Sequence, residues 1–480
     1  MIKKNTSHLK DIQKISHTEG FSSVVSSVYR FVVHIENLRS AQPNAIVQFS
    51  NGEMAIIWQA NEKATTALLL SANSKVEVGM GAKLVADNFS VYASDKLLGR
   101  IVDPLLSPKD GKSIDKKGTP QPVFGSAPGF YERAIVDEQL GTGVVMVDTL
   151  FPIVKGQRIA IIGDNKSGKT TFLSQVAQYQ SKEDTVLVYV LIAKHKNDIN
   201  KLLERLKVAG VLEKTIIVVA DIFDALPLSY LAPYVGCAIA ESFWRAGKNT
   251  VVFYDDLTAH AKLYREMSLL LDVPPGREGY PGDMFWQHSS LLERAGKLKR
   301  NGASQTVLAV GTTPTGDLTG YLPTSLISMT DGQIVFDLST MHRGVKPAVN
   351  VGVSVSRVGG RSQSKQFAEL ASRVRAELAK YRTASDFARF GTELSDVATK
   401  QIALGDKLYE LFKQPPEYSY SLKEQYIMLE ALMQSKEPEE VSISWLKSVI
   451  QDVTLQDIDE KDYIKIAKEL IKSNPMVKTP

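Results

Sequence analysis

Cysteine is nearly absent from this 480-residue chain, which carries one, Cys237. A single thiol excludes an intramolecular disulfide and fits a reducing compartment. Because Cys237 lies in an apolar run, it reads as a buried structural thiol. Long hydrophobic runs are missing as well. The uncharged apolar stretch Ala225 to Ala240 falls short of the roughly 20 residues that a membrane span needs, and Pro227, Pro233 and Gly236 interrupt it. The opening segment MIKKNTSHLKDIQK has no apolar signal-peptide core. Any membrane link is therefore expected to come through partners, with no direct insertion. There is little excess charge of either sign. A formal net charge of +4, with Lys and Glu interspersed, makes no case for a nucleic-acid partner. No internal repeat or low-complexity segment is evident.

What is present falls into blocks. Residues 1–24 are polar and read as an arm. From residue 25 to 95, short apolar clusters (VYRFVVHI, AIVQF, MAIIW, ATTALLL) alternate with polar turns such as SNGE and SANS. Short strands with regular turns predict a small barrel or sandwich. Residues 96–361 begin with a Pro-, Gly- and Asp-rich connection. Buried-type strands RIAII, TVLVYVLI, TIIVVA, TVVFY, QTVLAV and SLISM then alternate with segments of helical period, predicting an α/β, doubly wound parallel sheet. Residues 362–480 are predicted mostly helical, with heptad-like patches FAELASRVRAELAKYR and LKEQYIMLEALMQ.

Chemistry concentrates at Gly163, Asp164, Asn165, Lys166, Ser167, Gly168, Lys169 and Thr170, which fit the pattern G-x-x-x-x-G-K-[ST]. The motif follows the apolar strand Arg158 to Ile162 and precedes TFLSQVAQYQ, a run that permits helix. Its glycines let backbone N–H groups close on phosphates. Lys169 is expected at the β- and γ-phosphates and Thr170 on Mg2+. Such a site needs a carboxylate at the end of a later strand. Asp255, after TVVFY, is expected to meet the Mg2+ through water. ATP or ADP with Mg2+ is thus the predicted ligand set. His260 and His288 lack a partner at metal-ligand spacing and read as hydrogen-bonded structural residues.

The long stretch FYDDLTAHAKLYREMSLLLDVPPGREGYPGDMFWQHSSLLERAGKL, with LPTSLISMTDGQIVFD, GVKPAVNVGVSVSRVGG and LAKYRTASDFARFGTELSD, resembles the alpha subunit of F-type ATP synthases. Upstream, LLGRIVD and the segment around the phosphate loop continue the likeness, from about Leu97 to Gln414. The resemblance implies three parts: an N-terminal β-barrel crown, a central RecA-like nucleotide-binding domain and a C-terminal helical bundle. It also implies alternation with homologous catalytic beta-type subunits in a 3:3 hexamer around a central gamma-type shaft, joined to a stator or membrane-bound complex. The protein would then be cytoplasmic and peripheral to the membrane. The loop at Tyr280-Pro281-Gly282-Asp283 would lie towards the shaft. Arg357 would reach across the interface as an arginine finger in the neighbour's catalytic site.

The sequence departs from the family at several of these points. Catalytic subunits carry a Glu, and alpha subunits a Gln, just past the strand after the phosphate loop. Here the residue is Lys194, which cannot act as a general base while protonated and is expected near the phosphates. Asn165 and Lys166 replace the usual Arg and Gln. At the adenine pocket Lys346 replaces Arg beside Pro347, and Met341 replaces an aromatic. Of two glutamines that often line that pocket, Gln414 remains and the other lies within Pro415-Pro416-Glu417. Phe172 is a further expected nucleotide contact. The reading is a regulatory, non-catalytic subunit of an ATP-synthesising or ATP-driven rotary complex. The departures also suit a motor serving another process, as in F-type-like complexes of some mollicutes associated with gliding. A homohexameric export ATPase or helicase would need its own catalytic Glu, and a pure scaffold would not keep the phosphate loop.

Overall fold

The computed structural model describes residues 21–61, 64–114, 118–389, 395–453 and 459–474. The arm assigned to residues 1–24 lies almost wholly outside them, and the first barrel strand already begins at Ser23. The fold divides into two compact units, neither contiguous in sequence. One gathers the described residues of Met1–Arg133, Thr185–Lys207 and Leu212–Val310. The other gathers those of Ala134–Asp184, Val208–Val211 and Gly311–Pro480.

In the first unit, β1 (Ser23–Tyr29), β2 (Val32–Glu36), β3 (Ile46–Phe49), β4 (Met54–Ala60), β5 (Thr65–Leu69) and β6 (Gly81–Ala86) close an antiparallel barrel in the order β1-β2-β5-β4-β3-β6. The run VYRFVVHI supplies both β1 and β2, because Arg30 takes φ +54° and turns the backbone between them. Alternation sends Val25, Val33, Ile35, Val47 and Phe49 into the barrel core. Closure leaves no sheet edge unpaired.

The main elements that position the site are, in sequence order, β7 (Ile101–Val102), β8 (Arg158–Gly163), α1 (Lys169–Gln180), β9 (Thr185–Lys194), β10 (Thr215–Asp221), α2 (Leu226–Arg245), β11 (Asn249–Asp255), α3 (Leu257–Leu270), α4 (Met284–Leu292), β12 (Ser304–Thr312), α5 (Tyr321–Met329), β13 (Gly332–Phe336) and β14 (Val355–Ser356). The helices α6 (Lys365–Arg389), α7 (Asp396–Phe412), α8 (Leu422–Gln434), α9 (Ile443–Asp452) and α10 (Glu460–Ser473) complete the fold. In the first unit β12, β11, β9, β10 and β7 lie side by side, all parallel. Val186 to Ile192 are buried without alternation, as expected of a strand covered on both faces. Helix α2 covers this sheet and is itself buried along nearly its whole length, Cys237 included, where burial pushes the thiol up to about 11.

In the second unit β8 pairs in parallel with β13, and β13 pairs antiparallel with β14. The heptad-like patches form α6 and α8. Ser421 and Glu424 cap α8 reciprocally, each side chain bonding the other's backbone N–H. The segment SLISM, predicted as a strand, is the end of α5. Pro323, Leu326 and Met329 are its buried positions, and that spacing of three belongs to a helix face. The strand comes just after it, at β13, where Gly332 lets the backbone pass within reach of Val355. Among the described residues no helix is long and apolar enough to cross a membrane.

Candidate nucleotide-binding site

The phosphate loop leaves β8 at Gly163 and enters α1 at Lys169. Gly163 has no room for a side chain, since a Cβ there would lie 2.4 Å from the Phe336 carbonyl oxygen. Gly168 adopts φ +103°, a conformation that glycine takes without steric cost. Asn165 and Lys166 stand exposed at the loop's crest, Lys166 at φ +63°. The loop is tied down from below. Asp164 Oδ1 accepts from Thr313 Oγ1 at 2.8 Å and from the Gly316 backbone N–H at 2.6 Å. Lys169 is buried within the loop's curve, where its Nζ donates to the carbonyls of Gly163 at 2.6 Å and Asp164 at 2.7 Å. Thr170 begins the helix half-buried, its carbonyl accepting from Ser174 Oγ at 3.0 Å.

Beside the loop, wholly within the second unit, opens a cavity of about 530 Å3, within the range of roughly 300–1,000 Å3 that suits small organic ligands. One wall is the first two turns of α1. Gly168, Thr171, Phe172 and Gln175 all line it, and their spacing of three and four residues is one helix face. Phe172 packs against Phe336, with ring centroids 5.6 Å apart. The facing wall includes Met341, Lys346, Pro347, Lys413 and Pro415. Ser167, Phe172, Lys346, Pro347 and Gln414 therefore share this cavity.

Gln414, besides lining the cavity, bonds to backbone groups. Its Oε1 accepts from the Val145 backbone N–H at 3.1 Å. Its Nε2 donates to the carbonyls of Gly143 at 2.6 Å and Tyr418 at 2.7 Å. The carboxamide is thus committed to backbone groups, fixing the segment after α7 against the loop before the short helix at Val145–Leu150. A residue that sequence reading missed lies nearby. Gln175 is 4% exposed, and its Nε2 has no hydrogen-bond partner among the described residues; the same holds for Ser167 Oγ. A buried unpaired donor costs about 1–3 kcal/mol. The available signal was helical spacing, since Gln175 follows the motif's last glycine on the same face.

In the first unit, Asp255 ends β11 and Lys194 ends β9, with Leu191 and Asp255 in register. Lys194 Nζ stands 2.7 Å from Asp255 Oδ1 and 3.6 Å from Asp256 Oδ2, while Tyr189 OH donates to Asp255 Oδ2 at 3.5 Å. Burial alone would lower the proton affinity of Lys194; the charges of Asp255 and Asp256 outweigh it and hold the ammonium above the ordinary lysine value. The expectation put Lys194 near the phosphates and Asp255 on Mg2+ through water; the structure adds that the two side chains pair with each other. Adjacent parallel strands bring the two ends together, and opposite charges at that separation pair.

His260 and His288 prove to be each other's partner. His260 Nε2 lies 3.0 Å from the Tyr230 carbonyl, so it carries the proton. Its Nδ1 then accepts from His288 Nε2 at 3.0 Å. Burial lowers both, His260 to about 4, and the pair is a neutral core bridge. Arg357 follows β14 and is exposed. Its Nη1 donates to the Thr330 carbonyl at 2.9 Å and its Nη2 to that of Ile327 at 3.2 Å, at the C-terminal end of α5.

Known sequences agree with this arrangement. The model of the nucleotide-binding domain of the ATP synthase alpha/beta family matches residues 143–356, and that of the C-terminal domain of the ATP synthase alpha/beta chain matches residues 363–475. The protein is 40% identical to an ATP synthase subunit alpha of Dehalococcoides mccartyi over 80% of its own length and 77% of the relative's. It is 38% identical to that of Staphylococcus epidermidis, over 88% and 82%. The figures for Aquifex aeolicus are 39%, over 88% and 84%. On both matched domains and on these relatives, the chain belongs to the ATP synthase alpha/beta family, on the alpha-subunit side of it.

Proposed function

We propose that this protein is a regulatory, non-catalytic nucleotide-binding subunit of an alternating alpha/beta hexamer. It holds ATP or ADP at its phosphate loop and in the cavity beside it, and lends Arg357 to the catalytic site of the adjacent beta-type subunit. The observation that carries the non-catalytic reading is the pairing of Lys194 with Asp255. Activation of the attacking water needs a group that accepts or orients its proton. At this position the protein has an ammonium locked to two carboxylates, which can do neither. The same observation disfavours a self-sufficient homohexamer.

Within the assembly, the phosphate loop's backbone and Lys169 hold the phosphates, with Lys166 adding charge at its crest. Mg2+ accompanying the nucleotide would meet Thr170 and, through water, Asp255. The loop before α4, where Asp283 is fixed by Tyr264 OH at 2.6 Å, together with Phe285 and Trp286, exposed in the first turn of α4, suits a shaft contact. A gamma-type shaft and a stator or membrane complex complete the proposed set of partners, placing the subunit at the inner face of the membrane through them. The test uses the purified full-length protein. Calorimetry should show ATP binding, while phosphate release stays far below about 1 per second, the lower end of ordinary enzyme rates. Turnover at or above that rate would refute the non-catalytic reading.

A further inference from the structure

Helix α7 ends where its own backbone cannot cap it. An α-helix leaves its last carbonyls without intrahelical donors. In a continuing helix the Gln414 N–H would close on the Glu410 carbonyl four residues back. It donates instead to the Lys346 carbonyl at 2.8 Å. The next two residues, Pro415 and Pro416, have no N–H to offer. The end of α7 is therefore short of backbone donors. The segment that follows it, Lys413, Gln414, Pro415 and Pro416, forms part of the wall of the cavity beside the phosphate loop.

The missing donor comes from another helix. Lys447 lies half-buried on α9. Its Nζ donates to the Glu410 carbonyl at 2.9 Å and to the Lys413 carbonyl at 2.6 Å. An ammonium there also meets the negative end of the α7 dipole, and a charged donor makes a stronger bond than a neutral one. Packing fixes where the lysine stands, since Ile443, Leu446 and Ile450 bury the inner face of α9 and Ser442 caps its first turn. The wall of the cavity thus hangs between two points, Lys447 at its entry from α7 and the Lys346 carbonyl one residue further on. Lys447 is not itself among the residues that line the cavity.

We infer that Lys447 is a positioning residue for nucleotide: from outside the cavity its ammonium holds the wall of Lys413 to Pro416 in place, and so makes nucleotide affinity depend on the C-terminal helices. The inference rests on the nucleotide-binding function proposed above and adds how that site is controlled. Removing the ammonium frees the wall and leaves the phosphate loop, on the other side of the cavity, as it was.

The test measures binding of ATP and of inorganic tripolyphosphate to the full-length protein by calorimetry, the second probe reporting on the phosphate loop alone. Lys447→Met keeps the unbranched stem and removes the ammonium. It should weaken ATP about tenfold, the size of one hydrogen bond to a charged group, with tripolyphosphate changed by less than about twofold. Lys447→Arg, which restores a cation with several N–H donors, should bring ATP back to within about threefold of the wild type. Lys447→Gln, neutral and polar, should behave like Lys447→Met and takes its place if that variant does not fold. Neutral variants that keep ATP affinity within about twofold of the wild type would overturn the inference. Equal loss of ATP and tripolyphosphate would overturn it by showing a merely structural role, and so would an arginine variant as weak as the neutral ones. Wild type that binds neither probe would instead remove the nucleotide reading itself, and the inference with it.

Discussion

Arg294 and Glu241 face each other as a two-pronged ion pair inside the first unit. Arg294 Nε donates to Glu241 Oε1 and Nη2 to Oε2, each at 2.7 Å, and the two side chains are 2% and 0% exposed. The remaining prongs are satisfied too: Nη1 donates to the Val123 carbonyl at 2.6 Å and Gln121 Nε2 donates to Glu241 at 3.1 Å. Such a pair contributes little compared with a well-packed apolar substitute, yet breaking it strands a buried charge. Glu241→Gln should therefore destabilise the fold by about 3–5 kcal/mol. Denaturant titration should show this as a lower midpoint with an unchanged slope. A loss under about 1 kcal/mol would mean that water reaches the guanidinium.

The His260–His288 bridge predicts a pH dependence of known sign. Both rings have lower proton affinity folded than unfolded, the unfolded value being about 6.5. Below that value the unfolded protein takes up protons that the folded protein refuses. The stability is therefore full above about pH 6.5 and is lost as pH falls towards the folded value. Asp148, raised to about 6 by burial against the hydrogen bonds it accepts from Gln425, Thr142 and Gly143, contributes in the opposite sense. The comparison with His288→Gln isolates the histidine. Melting midpoints taken from about pH 8 to about pH 5 should fall more steeply for the wild type than for the variant. Parallel curves would show that His288 already titrates like an exposed histidine.

Lys166 should matter for phosphate more than for the nucleoside. It stands exposed at the crest of the loop at φ +63°, and a charge roughly 4 Å from a phosphate is worth up to about 4 kcal/mol at a protein surface before desolvation is subtracted. Lys166→Gln keeps an unbranched side chain at the same backbone angles, so strain is matched. ATP affinity should drop while adenosine affinity holds. Equal loss of both would place the lysine's effect elsewhere.

Arg357 is proposed to act in a neighbour's active site. Its Nη1 and Nη2 donate to carbonyls at the end of α5, bonds that the guanidinium would exchange for the neighbour's nucleotide. Arg357→Lys keeps the charge and loses the planar fork. In a ring assembled with a beta-type partner, ATPase should fall by on the order of 10³–10⁵, with hexamer formation and nucleotide content of this subunit unchanged. Activity within a few-fold of wild type would dismiss the finger, and failure to assemble would assign Arg357 a structural role.

How much of this was legible beforehand depends on the range of the interaction. The strands β9, β10, β11 and β12 were readable as unbroken apolar runs, and α6 and α8 as heptad-like patches, because burial on fixed faces imprints a period on the sequence. The phosphate loop was readable because its glycines, lysine and threonine act within a single turn of backbone. SLISM was misread because a short apolar run looks alike in strand and helix, and only its neighbours decide between them.

The residues alone determined the phosphate-loop motif and the barrel–α/β–helical order, since each of these is local or compositional. Tertiary structure alone decided which partners those residues take. It joined Lys194 to Asp255 across adjacent strands, His260 to His288 across two helices, and Gln414 to backbone groups, leaving Gln175 facing the cavity. The reason is physical. A hydrogen bond or ion pair forms at about 3 Å in space whatever the separation in sequence, and a one-dimensional pattern carries spacing along the sequence but not distance across the fold.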